Sequence, residues 1–262
     1  MQAALRADFL QPDWPAPANI RALSTTRGCL SPPMFGQSTG VFAGLNLGTH
    51  VGDDPQHVAA NRGLLSASCE LQRSPAWLNQ VHGCRVLDLD HWDGQLADAD
   101  ASTTTQLGLA AVVMTADCLP VLFCDKSGSR VAAAHAGWRG LCHGVLEATV
   151  AQFSHPADVM AWLGPAIGPN NFEVGAEVRS AFTAADPQAS SAFKAANVPG
   201  KFFADIYLLA RLRLRRAGVA AIYGGEFCTV AEPTRFFSYR RDGQTGRQAS
   251  LIWRIPTYPR HP

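Results

Sequence analysis

No stretch of this 262-residue chain approaches the roughly 18 consecutive apolar residues of a membrane-spanning helix, so an integral membrane protein is not expected. The basic-then-apolar pattern of a secretory signal is also missing, because Asp8, Asp13 and nearby prolines interrupt the first residues. Seven cysteines, an odd number, cannot close into a complete disulfide set, and reduced thiols in a cytoplasmic protein are the economical expectation. Charge is sparse: 16% of residues are charged against 47% hydrophobic, which excludes a disordered chain. Internal repeats and linker-like segments are lacking too, so residues 1–262 are expected to form a single domain near the upper size limit.

The net charge of +1 hides an asymmetry. Residues 1–210 carry 12 Lys and Arg against 18 Asp and Glu, whereas residues 211–262 carry 10 Arg against 3 acids. Most of those arginines are separated by apolar residues, which fits a solvated or ion-paired face better than a nucleic-acid surface.

Three prolines within residues 11–19 exclude regular structure there, and a strand is expected over 20–26. Residues 28–44, rich in Gly, Pro and Ser, read as a surface loop. Asp54-Pro55, followed by Val58, Asn61, Arg62 and Leu65 at helical spacing, predicts a helix capped by Asp54. Strands are expected over 84–90, 109–114, 119–124, 131–135 and 159–163. The runs at 109–114, 119–124 and 131–135 are close enough to predict antiparallel pairing among themselves, with Pro120 marking a strand start, an edge or a bulge. Helices are expected over 141–153, 176–184 and 205–217, the last between the capping Asp205 and Gly218. Asp242-Gly243, between residues 236–240 and 248–253, predicts a closing hairpin. A mixed α/β domain follows.

Chemistry concentrates around residues 132–140, Ala-Ala-Ala-His-Ala-Gly-Trp-Arg-Gly. This run delivers His135 to a glycine turn and places Arg139 in the first turn of a helix, where free N–H groups favour anions. His82 and Cys118 likewise follow apolar runs beside Gly or Asp. Two imidazoles and a thiolate suit zinc with one coordination position open. Singly, each also reads as a turn histidine or a buried thiol, and separations of 36 and 17 residues match no local zinc-finger template. Arg139 is a candidate phosphate or carboxylate clamp, or a surface arginine. Trp138 reads as a stacking platform or a core tryptophan. Asp117 reads as orienting a ligand or substrate or as merely ending the strand, and Gln80 is a candidate catalytic or substrate contact. Cys29, Cys69, Cys84, Cys124, Cys142 and Cys228 read as small buried hydrophobes.

Four blocks then carry a resemblance: Asn79-Gln-Val-His-Gly, Ala116-Asp-Cys-Leu-Pro, Ala134-His-Ala-Gly-Trp-Arg-Gly and Leu163-Gly-Pro-Ala-Ile-Gly-Pro. With Asn46-Leu-Gly-Thr-His and Asn61-Arg62, they resemble the bacterial YfiH-like family, also called laccase-domain, multicopper polyphenol oxidase-like or peptidoglycan editing factor proteins. The resemblance implies a layered α/β/β/α sandwich like that of certain deamidating toxins, with His82, Cys118 and His135 as metal ligands. It also implies purine nucleoside chemistry: phosphorolysis of adenosine, inosine and methylthioadenosine, and deamination of adenosine. Substrates are then nucleosides and phosphate, handled by a monomer with neither nucleic acid nor membrane as partner. Asn46 and Arg62 become candidate phosphate or ribose contacts. The alternative cofactor is copper, with Met114 as a weak axial thioether. A multicopper centre commonly uses His-X-His pairs, and none of the eight histidines forms one. A Cys118 hydrolase with His82 or His135 as base, and a nucleotide- or cell-wall-precursor-binding protein, are the further alternatives.

Overall fold

The computed structural model describes residues 9–28 and 36–256, so the expectation for Cys29 and part of that for the 28–44 loop lie outside the described residues. The first half of the chain forms β1 (Ile20–Ser24), α1 (Pro55–Ser68), β2 (Val86–Asp88), β3 (Ala101–Thr104), β4 (Ala111–Thr115), β5 (Leu119–Asp125) and β6 (Val131–Ala136). Two short helices, α2 (Trp138–His143) and α3 (Val145–Val150), then lead to β7 (Val159–Leu163), β8 (Glu173–Gly175) and α4 (Ala176–Ala185). The rest comprises β9 (Phe193–Ala195), β10 (Lys201–Ala204), α5 (Ile206–Arg216), β11 (Ala221–Gly224), α6 (Tyr239–Asp242) and β12 (Gln248–Arg254).

A six-stranded sheet in the order β11-β7-β5-β6-β3-β2 stacks on a three-stranded sheet in the order β1-β12-β4. Along β5 and β6 the alternation of side chains feeds two cores. Val121, Phe123, Ala132 and Ala134 face Leu146 and Val150 of α3 and Leu209 and Leu214 of α5. Leu122, Cys124, Val131 and Ala133 face Ala111, Val113 and Ile252 of the smaller sheet, together with Trp162. The outer face of that sheet, Val112, Met114 and Leu251, packs on Leu65 of α1 and on Leu45 and Leu47. The layers are therefore helix, sheet, sheet, helix, as the resemblance implies. Small β10-centred pairings with β8 and β9 form a third sheet at the side.

Local signals hold well at caps. Asp54 accepts from the Gln56 amide, Pro55 opens α1, and Asp205 accepts from the Leu208 amide at the start of α5. Several expectations are corrected. β4 pairs with β12 and not with β5, because Asp117, with φ +92°, turns the chain from one sheet into the other. The helix expected over 141–153 starts at Trp138 and breaks at Gly144, whose φ of +103° no continuous helix accommodates. The closing hairpin does not form: both edges of β12 are taken by β1 and β4, while Ser238 caps α6. β2 spans three residues of the strand expected over 84–90, and β3 was not anticipated. Pro120 opens a central strand, not an edge. Cys69 and Cys124 are buried, but Cys84, Cys142 and Cys228 are only half-buried. No helix among the described residues is long and apolar enough to cross a membrane.

Candidate metal centre

The end of β6 and the start of β5 are neighbours, with Pro120 opposite His135. Cys118 and His135 therefore meet at the mouth of the gap between the sheets. His82 arrives from the loop before β2 in a left-handed conformation, φ +61°, which a non-glycine residue holds only when its surroundings fix it. Asp100 does the fixing. Its Oδ2 accepts from the amides of Val81 (3.2 Å) and Gly83 (2.6 Å), and its Oδ1 from the amide of His82 (2.9 Å). The same Oδ1 lies 2.8 Å from Nδ1 of His135, and the carboxylate is fully buried. Nδ1 of His135 thus donates to Asp100, which leaves Nε2 as the free ligand atom.

His82 Nε2 lies 3.9 Å from Cys118 Sγ, and the ligand atoms of His82, Cys118 and His135 all fall within 4.8 Å of one another. Ligands at about 2.0–2.3 Å from a tetrahedral ion stand roughly 3.5 Å apart, so small side-chain rotations suffice for this set to hold a metal ion. Burial raises the Cys118 pKa, but His135 and His82 outweigh it and bring the thiol to about 6. Burial opposes protonation of His135, yet Cys118 and Asp100 raise its pKa to about 9. Glycine makes the approach possible: a Cβ on Gly137 would lie 2.9 Å from His82 Cδ2 and 3.1 Å from Cys118 Sγ.

The three residues open into a cavity of about 280 Å³ that His50, Met114, Tyr239 and Arg247 also line. A second cleft of similar volume shares Cys118 and Tyr239 with it and is lined by Trp138, Arg139, Phe172 and Arg240. Arg139 belongs to this second cleft, where its exposed guanidinium stacks 4.6 Å above the Trp138 ring.

The other candidates act mostly on the walls. Gln80 clamps β4, donating to the Met114 carbonyl (2.8 Å) and accepting from its amide (2.7 Å). Asn46, fully buried, donates to Asp53 (2.8 Å) and accepts from the amides of Gly48 (3.0 Å) and Arg247 (2.8 Å). Asp117 accepts from the Thr229 hydroxyl (2.5 Å) and the Arg240 amide (2.6 Å), tying the cavity floor to α6. Arg62 donates to the Leu47 carbonyl (3.0 Å) and sits 3.9 Å over Trp77; burial holds its pKa at about 10. Its Nη2 also reaches Met114 Sδ (3.7 Å). Tyr239 and Arg247 were not singled out from the sequence; His50 stands in the Asn46–His50 block without a role, and Asp100 reads from the sequence only as a loop acid that caps, binds or solvates. Only long-range pairing marks Asp100 and Arg247, the first one residue ahead of β3 and the second one ahead of β12.

The family model described as multi-copper polyphenol oxidoreductase laccase matches residues 25–255, and the chain belongs to this YfiH-like family. It is 55% identical over 246 residues, 94% of this chain and 98% of the relative, to a purine nucleoside phosphorylase of Pseudomonas aeruginosa. It is 53% identical over 248 residues to the purine nucleoside phosphorylase YfiH of Escherichia coli, covering 94% and 99% of the two chains. Among solved structures, a Neisseria meningitidis protein superposes with TM-score 0.89 at 52% identity, covering 95% of this chain and 100% of that one. YlmD of Geobacillus stearothermophilus gives 0.85 at 32% identity, covering 95% and 96%.

Proposed function

We propose that this chain is a zinc-dependent purine nucleoside phosphorylase that cleaves adenosine, inosine and methylthioadenosine and also deaminates adenosine to inosine. The convergence of His82, Cys118 and His135 on one cavity carries the reading, and the names of the relatives point the same way. Two imidazoles and a thiolate with a position left open are a catalytic zinc donor set. Zinc bound there would supply a Lewis acid beside the reacting oxygen atoms. Copper is less well served, since the thioether of Met114 accepts from Arg62.

In phosphorolysis a phosphate oxygen attacks C1′ of the ribose as the C1′–N bond breaks. The base leaves with the bonding pair, and the phosphate's proton passes to the base, giving free base and ribose 1-phosphate. A nucleoside lying across the wall formed by Cys118 and Tyr239 brings this bond to the ligand cluster, with Trp138 and Arg139 holding its far end. Asp100 keeps His135 and the His82 loop in place. Gln80 and Asn46 fix the cavity walls, and Asp117 secures the backbone on which Cys118 sits. The enzyme acts in this reading as a cytoplasmic monomer on free nucleosides and phosphate.

Metal quantification on the purified protein, coupled to product analysis with adenosine and phosphate, tests this. Stoichiometric zinc with adenine, ribose 1-phosphate and inosine is expected. Absence of both zinc and these products overturns it.

A further inference from the structure

The geometry points to an oxyanion subsite built from Arg247 and His50, which seats inorganic phosphate beside the metal ligands; this rests on the phosphorolytic reading above. Both residues line the cavity into which His82, Cys118 and His135 open, whereas Arg139, the arginine that the sequence offers for this task, lines the neighbouring cleft.

Arg247 is half-buried and has no ion-pair partner among the described residues. Its Nη1 donates to the carbonyls of Thr245 and Gly246, and no hydrogen bond among the described residues engages its Nε or Nη2. Three other partly buried arginines are engaged, Arg213 by Glu147, Arg241 by Asp242 and Arg211 by the carbonyls of Ile222 and Gly224, whereas Arg27 and Arg62 share with Arg247 the lack of an ion pair among the described residues but do not line this cavity. Burial lowers the Arg247 pKa, the opposite charges of Cys118, Asp117 and Tyr239 offset this only in part, and its free edge fits two oxygens of a tetrahedral anion.

The local structure holds that guanidinium in place. The Arg247 amide donates to Asn46 Oδ1, and its side chain crosses Gly48 so closely that a Cβ there would lie 2.7 Å from Arg247 Cγ. His50 lines the same cavity as Arg247, and burial, then Arg247, Arg62 and His135, lower its pKa. Thr115 lines the same cavity, and its buried hydroxyl has no partner among the described residues. The Arg247 guanidinium, the His50 imidazole and an unpaired hydroxyl, with no carboxylate lining the cavity, favour a small oxyanion.

The test is calorimetric titration of inorganic phosphate into metal-loaded wild type, Arg247→Gln, His50→Gln and Arg139→Gln, with thermal melts as folding controls. Arg247→Gln is expected to weaken phosphate about tenfold or more, His50→Gln to weaken it less, and Arg139→Gln to leave it unchanged. Should Arg247→Gln not fold, Arg247→Lys, which keeps the stem over Gly48 but loses the fork, is expected to weaken phosphate in the same sense. Phosphate binding that is absent from wild type, insensitive to Arg247, or dependent on Arg139 instead overturns the subsite. Phosphate binding through Arg247 in a wild type that leaves nucleosides intact overturns the phosphorolytic reading and keeps the subsite.

Discussion

His135 donates its Nδ1 proton to Asp100 across 2.8 Å, and the same carboxylate gathers the amides of Val81, His82 and Gly83. One buried acid therefore sets both the tautomer of one candidate ligand and the strained backbone of another.

Asp100→Asn can no longer accept at both oxygens, so it loses either the imidazole or part of the amide nest. Metal affinity is expected to fall about 10–100-fold, as for other groups that orient ligating histidines. Competition against a chromophoric chelator measures it; wild-type affinity in the variant would remove Asp100 from this role.

Gly137→Ala pushes a methyl group toward His82 Cδ2 and Cys118 Sγ without touching either core. Metal occupancy is expected to drop while the melting temperature of the metal-free protein changes little. A variant that loads metal fully would show that the loop yields more easily than its contacts indicate.

The Cys118 thiol, at about 6, is mostly thiolate at neutral pH in metal-free protein, whereas burial holds Cys124 at about 12. Alkylation of Cys118 is expected to rise through about pH 6 and then level off, with Cys124 unlabelled and added zinc protecting. Peptide mapping by mass spectrometry follows both sites, and a labelling midpoint above about pH 8 contradicts the pairing with His135.

Asp90 anchors the end of β3 by accepting from the hydroxyls of Thr104 (2.6 Å) and Thr105 (2.5 Å) and from the Thr105 amide. Burial raises its pKa, but these bonds outweigh that and lower it below the ordinary carboxylate value. The resulting stability is present above the unfolded-state pKa and disappears as pH falls through the lower folded-state value. Asp90→Asn is expected to cost about 1–2 kcal/mol at neutral pH and progressively less in acid. Urea melts at several pH values give this difference, and a cost independent of pH would rule out the linkage.

Much of this was legible because it is local. Asp54-Pro55 and Asp205 state their helix starts in their own chemistry, and His82, Cys118 and His135 announce themselves as ligand types beside glycine and aspartate. The 141–153 helix and the pairing of 109–114 with 119–124 were misread because the break at Gly144 and the change of sheet at Asp117 each depend on one backbone torsion inside an otherwise regular apolar pattern. The tail hairpin failed for a related reason: Asp242-Gly243 is a good turn, but the partner of β12 is decided by strands far away. Asp100 and Arg247 owe their importance to neighbours 35 and 201 residues distant, which no local pattern encodes.

The central place of β12 between β1 and β4 also has a consequence for biosynthesis. His82, Cys118 and His135 all leave the ribosome well before residues 248–254, so the ligand cluster can assemble on a nascent chain. Among the described residues β1 and β4 have no strand partner but β12 in their sheet, so they must wait for residues 248–254 to be translated. Such distant pairing is slow to form and leaves apolar edges open meanwhile. Metal capture can therefore come early in the life of the chain, whereas the wall carrying Arg247 is delivered only after all three ligands.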